Sequence, residues 1–217
     1  PITRRNNLLD DPIRGGLTIS TNALHDKGVT VIGGFSYDNN RANVKIWHSR
    51  YVTVLGLISE YASKTSHVGG IGIDIIHSDN IHLIGVSSTY NWLDGLNLNN
   101  VTDSEILGGT YKNNRQSGAG DYSGIRILTG ALRNKISHAK ITDDQGSKTQ
   151  YLGIYEQDTS DYDVFEDNYV DGNVDKGIFK VGANTKLRNN VGYMTEGSGS
   201  ANITGAVNSV VVNHLLS

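Results

Sequence analysis

The stretch GIDIIHSDNIHLIGVSSTYN, residues 72–91, can be laid over GLNLNNVTDSEILGGTYKNN, residues 95–114, without a gap. Glycine opens both, Ile73 and Ile75 fall on Leu96 and Leu98, Gly85 falls on Gly108, and a Tyr-Asn or Asn-Asn pair closes each. The same frame extends to GIRILTGALRNKISHAKITDD (124–144), GIYEQDTSDYDVFEDNYVDGN (153–173) and GIFKVGANTKLRNNVGY (177–193). Before them, NVKIWHSRYVTVLGLISEYA (43–62) fits, and GVTVIGGFSYDNN (28–40) supplies half of an earlier unit. Units therefore start at Asn43, Gly72, Gly95, Gly124, Gly153 and Gly177, at intervals of 29, 23, 29, 29 and 24 residues.

A period in the twenties, filled by two or three short strands, describes a solenoid whose repeats stack on their neighbours. No apolar spacing of 3.6 residues is long enough for the paired helices of a helical solenoid, and the leucine-rich ladder is missing. The remaining architecture is an all-β parallel β-helix of about six to seven coils with non-repeating terminal segments. Composition agrees: Pro is scarce at 2 and Gly abundant at 26, which favours short strands and tight turns. The expected organisation is an N-terminal cap or linker at 1–27, the β-helix at 28–194, and a C-terminal cap or the start of a further β domain at 195–217. Because the chain begins PITRRNN without Met, it reads as a piece of something longer.

Alternation assigns faces, since successive strand side chains point to opposite sides. In the first strand of each coil, Val44/Ile46, Ile73/Ile75, Leu96/Leu98, Ile125/Ile127 and Ile154 with Ile178 are expected inward. Glu156 and Lys180 break that rule and are expected to pair with each other or to flip outward. The second strand is expected to bury Ile32, Val54, Ile84, Ile106 and Ile136, followed by a small-residue bend at Gly33, Gly56, Gly85, Gly108 and Ser137.

The outward positions form a grid. Its first column is Lys45, Asp74, Asn97, Arg126, Tyr155 and Phe179; its second is Trp47, Ile76, Asn99, Leu128, Gln157 and Val181. Flat aromatic rings suit sugar faces, while Asn, Asp and Arg bond hydroxyls and carboxylates. Lys45, Trp47, Asn97, Asn99 and Gln157 are therefore expected to bind substrate. Cleavage of a uronic-acid polymer by β-elimination needs a cation for the carboxylate, a base and an acid. Arg126 can be that cation, and Tyr155 or His77 the base or acid. Hydrolysis would need two carboxylates, and Asp74 with Asp94 is the nearest pair. His82 and His138 are expected on the surface, and His48 is expected to stack on His77.

Other chemistries find little support. There is no Cys, hence no disulfide or thiolate metal site, and the formal charge of −3 is spread along the chain, which argues against nucleic acid as a partner. No apolar run is long enough to cross a membrane as a helix. Phosphate loops, G-x-S-x-G, H-E-x-x-H and the calcium-binding Gly-Gly-x-Gly-x-Asp repeat are missing, so no cofactor is expected and calcium would have to bind without that motif.

The repeats resemble the right-handed parallel β-helix superfamily of pectate lyases, alginate epimerases, copper-accessory periplasmic proteins and phage tailspikes, over residues 28–193. Locally the chain is most similar to mannuronan C5-epimerases, whose motif Tyr-Gly-Phe-Asp-Pro-His is followed by Leu-Asp-Gly-Phe. Gly72 and Asp74 match the first motif, and Leu93, Asp94 and Gly95 the second. Ile71 stands in place of the Tyr, Ile75 of the Pro and Ile76 of the catalytic His, while a further acidic position is Asn99. The framework is kept without the family's catalytic set. The tail TEGSGSANITGAVNSVVVNHLL (195–216) resembles a stretch that follows β-helices in phage and environmental-virus proteins, which implies a virion fibre or spike, commonly a homotrimer.

Two functions follow as expectations. The first is a carbohydrate-binding β-helix acting on an acidic polysaccharide, as a lyase or hydrolase if catalytic, in an extracellular protein or on a virion surface. The second is a non-catalytic structural or adhesive rod. The grid around Arg126 favours the former, and the missing epimerase residues the latter.

Overall fold

The computed structural model describes residues 16–20, 28–39, 41–63, 69–118, 120–157 and 159–193. In chain order its strands are β1 (Leu17–Ser20), β2 (Val29–Ile32), β3 (Phe35–Tyr37), β4 (Val44–Trp47), β5 (Arg50–Leu55), β6 (Ile58–Glu60), β7 (Ile73–Ile84), β8 (Ser87–Thr89), β9 (Leu96–Thr102), β10 (Glu105–Leu107), β11 (Thr110–Lys112), β12 (Ser123–Ile127), β13 (Lys135–Ser137), β14 (Leu152–Glu156), β15 (Val164–Glu166), β16 (Lys176–Phe179) and β17 (Lys186–Arg188). Every pairing between them is parallel, and the fold is a right-handed parallel β-helix with no helix among the described residues.

Three faces wind around one core. The first stacks β1, β4, the start of β7, β9, β12, β14 and β16; the second stacks β2, β5, the end of β7, β10, β13, β15 and β17. The third holds β3, β6, β8 and β11 and continues as single bridges through Lys140, Tyr169 and Val191. The first face thus begins with β1, paired residue for residue with β4, ahead of the first repeat seen in the sequence. The tail after 193 lies outside the described residues.

The first-strand core columns are as the alternation requires. Val44, Ile46, Ile73, Ile75, Leu96, Leu98, Ile125, Ile127, Ile154 and Ile178 are all buried. The second strand needs a correction. Val54, Ile106 and Ile136 point inward, but Ile32 is 79% and Ile84 37% exposed, and Val31 and Leu83 take the inward positions instead. The cause is the corner that follows. Gly33, Gly56, Gly85, Gly108 and His138 all adopt a left-handed backbone, with φ between 57° and 64°. At the glycine corners the residue immediately before the turn, Ile32, Leu55, Ile84 or Leu107, is at least partly exposed, so the inward position is one step earlier. Leu83 and Ile84 are both apolar, and hydrophobicity alone cannot choose between registers that differ by one residue. The corner column accordingly contains His138 and not Ser137, which is buried within β13; Asp167 and Asn189 continue it, residue types that enter this region more readily than most.

Glu156 and Lys180 do not pair. Glu156 stays inward and fully buried, its carboxylate accepting hydrogen bonds from the backbone N–H of Val181 at 3.0 Å and Gly182 at 2.8 Å and from the Thr185 hydroxyl. Asp163, also buried, accepts from the Asn134 N–H at 2.6 Å. Elsewhere the interior edges are held by amide ladders. Asn91 donates to Asn114, Asn114 to Gln150 and Gln150 to Asn173, at 2.9, 3.0 and 2.7 Å, so each coil satisfies polar groups of the next.

Candidate polysaccharide-binding face

Parallel pairing places the first outward column in one row. Lys45 is opposite Asp74, Asp74 opposite Asn97, Asn97 opposite Arg126, Arg126 opposite Tyr155, and Tyr155 opposite Phe179. Consecutive members are separated by about 4.8 Å, the interstrand distance. Trp47, Ile76 and Asn99 form the matching part of the second column, and Gln157 follows β14, its N–H bonded to the Ile127 carbonyl.

Asp94 enters from the turn just before β9. Its side chain is buried; one oxygen accepts the Ser123 N–H at 2.6 Å, and the other lies 3.7 Å from an Arg126 guanidinium nitrogen. Burial pushes its carboxyl up to about 7, against the opposing pull of the Arg126 charge and the Ser123 hydrogen bond, with a small further rise from Asp74. Burial also raises the Asp74 carboxyl, partly offset by Lys45. Two acids of raised affinity for protons and one guanidinium thus share three adjoining strands.

Arg126 is held by rings more than by carboxylates. Its guanidinium lies 5.6 Å from the Tyr122 ring centre and 5.2 Å from that of Tyr155, a cation–π arrangement on both counts. Its Nε is buried without a hydrogen-bond partner, as is Oδ1 of its cross-strand neighbour Asn97. Below, Tyr155 meets Phe179 edge-on at 5.4 Å, and the Lys176 ammonium sits 5.1 Å from the Phe179 ring. Above, Lys45 lies 5.4 Å from the ring of Trp47, which is 43% exposed.

The structure brings Asp74, Asp94, Asn97, Arg126 and Tyr155 into one cluster. Lys45 and Trp47 extend it above, and Asn99 and Gln157 flank it. His77 belongs to a different group. It occupies a left-handed corner, stacks on His48 at 5.1 Å and accepts a hydrogen bond from the Asn100 amide at 2.7 Å. Tyr122 and Lys176 were not singled out from the sequence. A signal for Tyr122 did exist, because Tyr122 and Tyr151 stand at the same place, two residues before the coil-opening Gly124 and Gly153, and both rings carry an arginine. Among the described residues no three His, Asp or Glu side chains gather into a metal-ligating set, and no helix is long and apolar enough to cross a membrane.

No protein-family model matches the sequence, nor does any curated protein. Solved structures do match by shape. The A-module of mannuronan C-5 epimerase AlgE6 from Azotobacter vinelandii superposes with a TM-score of 0.55 over 81% of this chain, at 15% identity. The A-module of AlgE4 from the same organism does so with a TM-score of 0.55 over 79%, at 17% identity. The chain spans 57% of the length of each module. At such identity the likeness is one of fold: this protein is a parallel β-helix built like the A-modules of alginate epimerases.

Proposed function

We propose that this β-helix binds an acidic polysaccharide along its first face, with Arg126 receiving a sugar carboxylate. The observation that carries the reading is the setting of that guanidinium. It is positioned by two tyrosine rings on an outward row, retains an unpartnered N–H, and has as its nearest carboxylate an Asp94 whose proton leaves only near neutrality. A buried polar atom without a partner costs about 1–3 kcal/mol. Such a cost is recovered where a ligand draws the side chain into a new bond. Trp47, Tyr155 and Phe179 supply apolar plates for sugar rings along the same row. The likeness in fold to modules named for a mannuronan-modifying enzyme agrees with a polyuronate ligand. The natural setting of this binding is outside a cell or on a virion surface, where such polymers are met.

A catalytic version has one observation in its favour. Asp94, with its carboxyl near 7, can exchange a proton at neutral pH, as a general acid or base must. Ile76 stands where the epimerase motif has histidine, so epimerisation by that set is not proposed. Incubation with alginates, pectates and capsular glycans separates the versions. Retention in affinity electrophoresis without ultraviolet-absorbing unsaturated products or new reducing ends supports binding alone. Such products support a lyase, and reducing ends without absorbance a hydrolase. No retention and no product on any acidic glycan overturns the proposal in favour of a structural rod.

A further inference from the structure

We propose a second anion station on the first face, formed by Lys176 and Phe179, which works with Arg126 to read every second carboxylate of an extended polyuronate lying along the solenoid axis. This rests on the reading that Arg126 anchors a carboxylate.

Arg126 and Phe179 are separated by two strand steps, β12 to β14 to β16, or about 10 Å at the interstrand spacing. The intervening surface is continuous, because Arg126 lies over Tyr155, Tyr155 abuts Phe179, and Lys176 lies over Phe179. A ring of an extended 1,4-linked uronan advances the chain by close to one strand spacing. When successive rings are turned over, carboxylates on the same side recur at every second ring. A carboxylate bound at Arg126 therefore places the next same-side carboxylate at the level of Phe179, where the Lys176 ammonium is.

Lys176 is suited to receive it. It forms no ion pair among the described residues, whereas Lys112 and Lys135 are engaged by Asp144 and Glu166 at 3.1 and 2.6 Å. The ring beneath it is 37% exposed and offers an apolar plate to the sugar at the same level. Lys45, the other cation in the row, does not share this phase. It lies three steps above Arg126 and faces Asp74, whose carboxyl it pulls down.

The test compares a diuronate, too short to reach both cations, with a hexauronate, using isothermal titration of the whole chain. Wild type is expected to bind the hexamer at least about tenfold more tightly than the dimer. Lys176→Ala should remove most of that gain and leave dimer affinity unchanged, while Arg126→Ala weakens both ligands. Thermal unfolding of each variant reports folding. Equal hexamer affinity in wild type and Lys176→Ala, or an equal loss for both ligands, overturns the second station while leaving Arg126 in place. If wild type binds neither oligomer, the Arg126 reading falls and this one with it.

Discussion

The second face and the first face are built from the same strand repeat, yet they treat their cations differently. Along the second face and its leading corner, basic side chains meet carboxylates from neighbouring coils: Arg50 meets Asp79 at 2.7 Å, Arg133 meets Asp103 at 2.7 Å, and Lys135 and Arg188 share Glu166 at 2.6 and 3.7 Å. Along the first face, Lys45, Arg126 and Lys176 lie over aromatic rings, and the acids beside them, Asp74 on the row and Asp94 buried behind it, have raised proton affinity. A solenoid can stack charges either way. Second-face cations meet solvent-accessible carboxylates whose usual affinity for protons is low; Arg126 has only Asp94 at 3.7 Å, which keeps its proton up to about 7, and Lys176 has no ion pair among the described residues, so both still attract an anion. That difference, more than the mere presence of polar residues, is the ground for placing the proposed ligand on the first face.

The comparison breaks most sharply at Arg126. Replacing it by Ala should lower polyuronate affinity on the order of 100-fold, as expected when about 2–3 kcal/mol of charge-assisted hydrogen bonding is lost. The melting temperature should change little, because the side chain already has an unpartnered nitrogen. Titration calorimetry with paired melting curves measures both.

A pH series sharpens the same point. The ligand carboxylates are ionised throughout the neutral range, while Asp94 is neutral below about 7 and ionised above it. Once ionised it competes for the Arg126 guanidinium 3.7 Å away. Affinity should therefore fall as pH rises through 7, by up to about tenfold per unit. Asp94→Asn should flatten the profile while retaining binding.

A buried acid unconnected with the first-face cations provides the contrast. Burial pushes the Asp163 carboxyl up to about 8, assisted by neighbouring Glu156 and opposed by the Asn134 hydrogen bond. The folded state then keeps a proton that the unfolded chain releases near 4, so stability should decline from about pH 4 to about pH 8 and level off above. Asp163→Asn should flatten that decline by several degrees of melting temperature and leave polyuronate affinity unchanged. The smallest effect belongs to the second face. Glu166→Gln removes a surface pairing, should shift the melting temperature little and should not alter binding.

Much of the architecture was legible because identical positions recur in every coil. Ile73, Leu96, Ile125, Ile154 and Ile178 announce a stacked column by spacing alone, and the row from Lys45 to Phe179 follows from the same frame. Legibility stopped where two adjacent residues satisfied the same rule. Leu83 and Ile84 are equally apolar, and only the left-handed corner at Gly85 decides which is buried. It stopped also at residues outside the frame. Tyr122 shares with Tyr151 the position two residues before a coil-opening glycine, but its place beside Arg126 depends on the path of the turn that carries it. Glu156 looked like an error in a core strand because its partners, the Val181 and Gly182 amides, are backbone groups that no side-chain pattern displays.

The central claim is that the ligand lies on the first face. Backbone amide chemical-shift mapping during titration with a hexauronate tests it most directly. The account predicts graded shifts at Asn97, Arg126, Tyr155 and Phe179, with Glu105, Lys135 and Glu166 of the second face unmoved. Perturbations confined to the second or third face, with the first-face row silent at saturation, would contradict it.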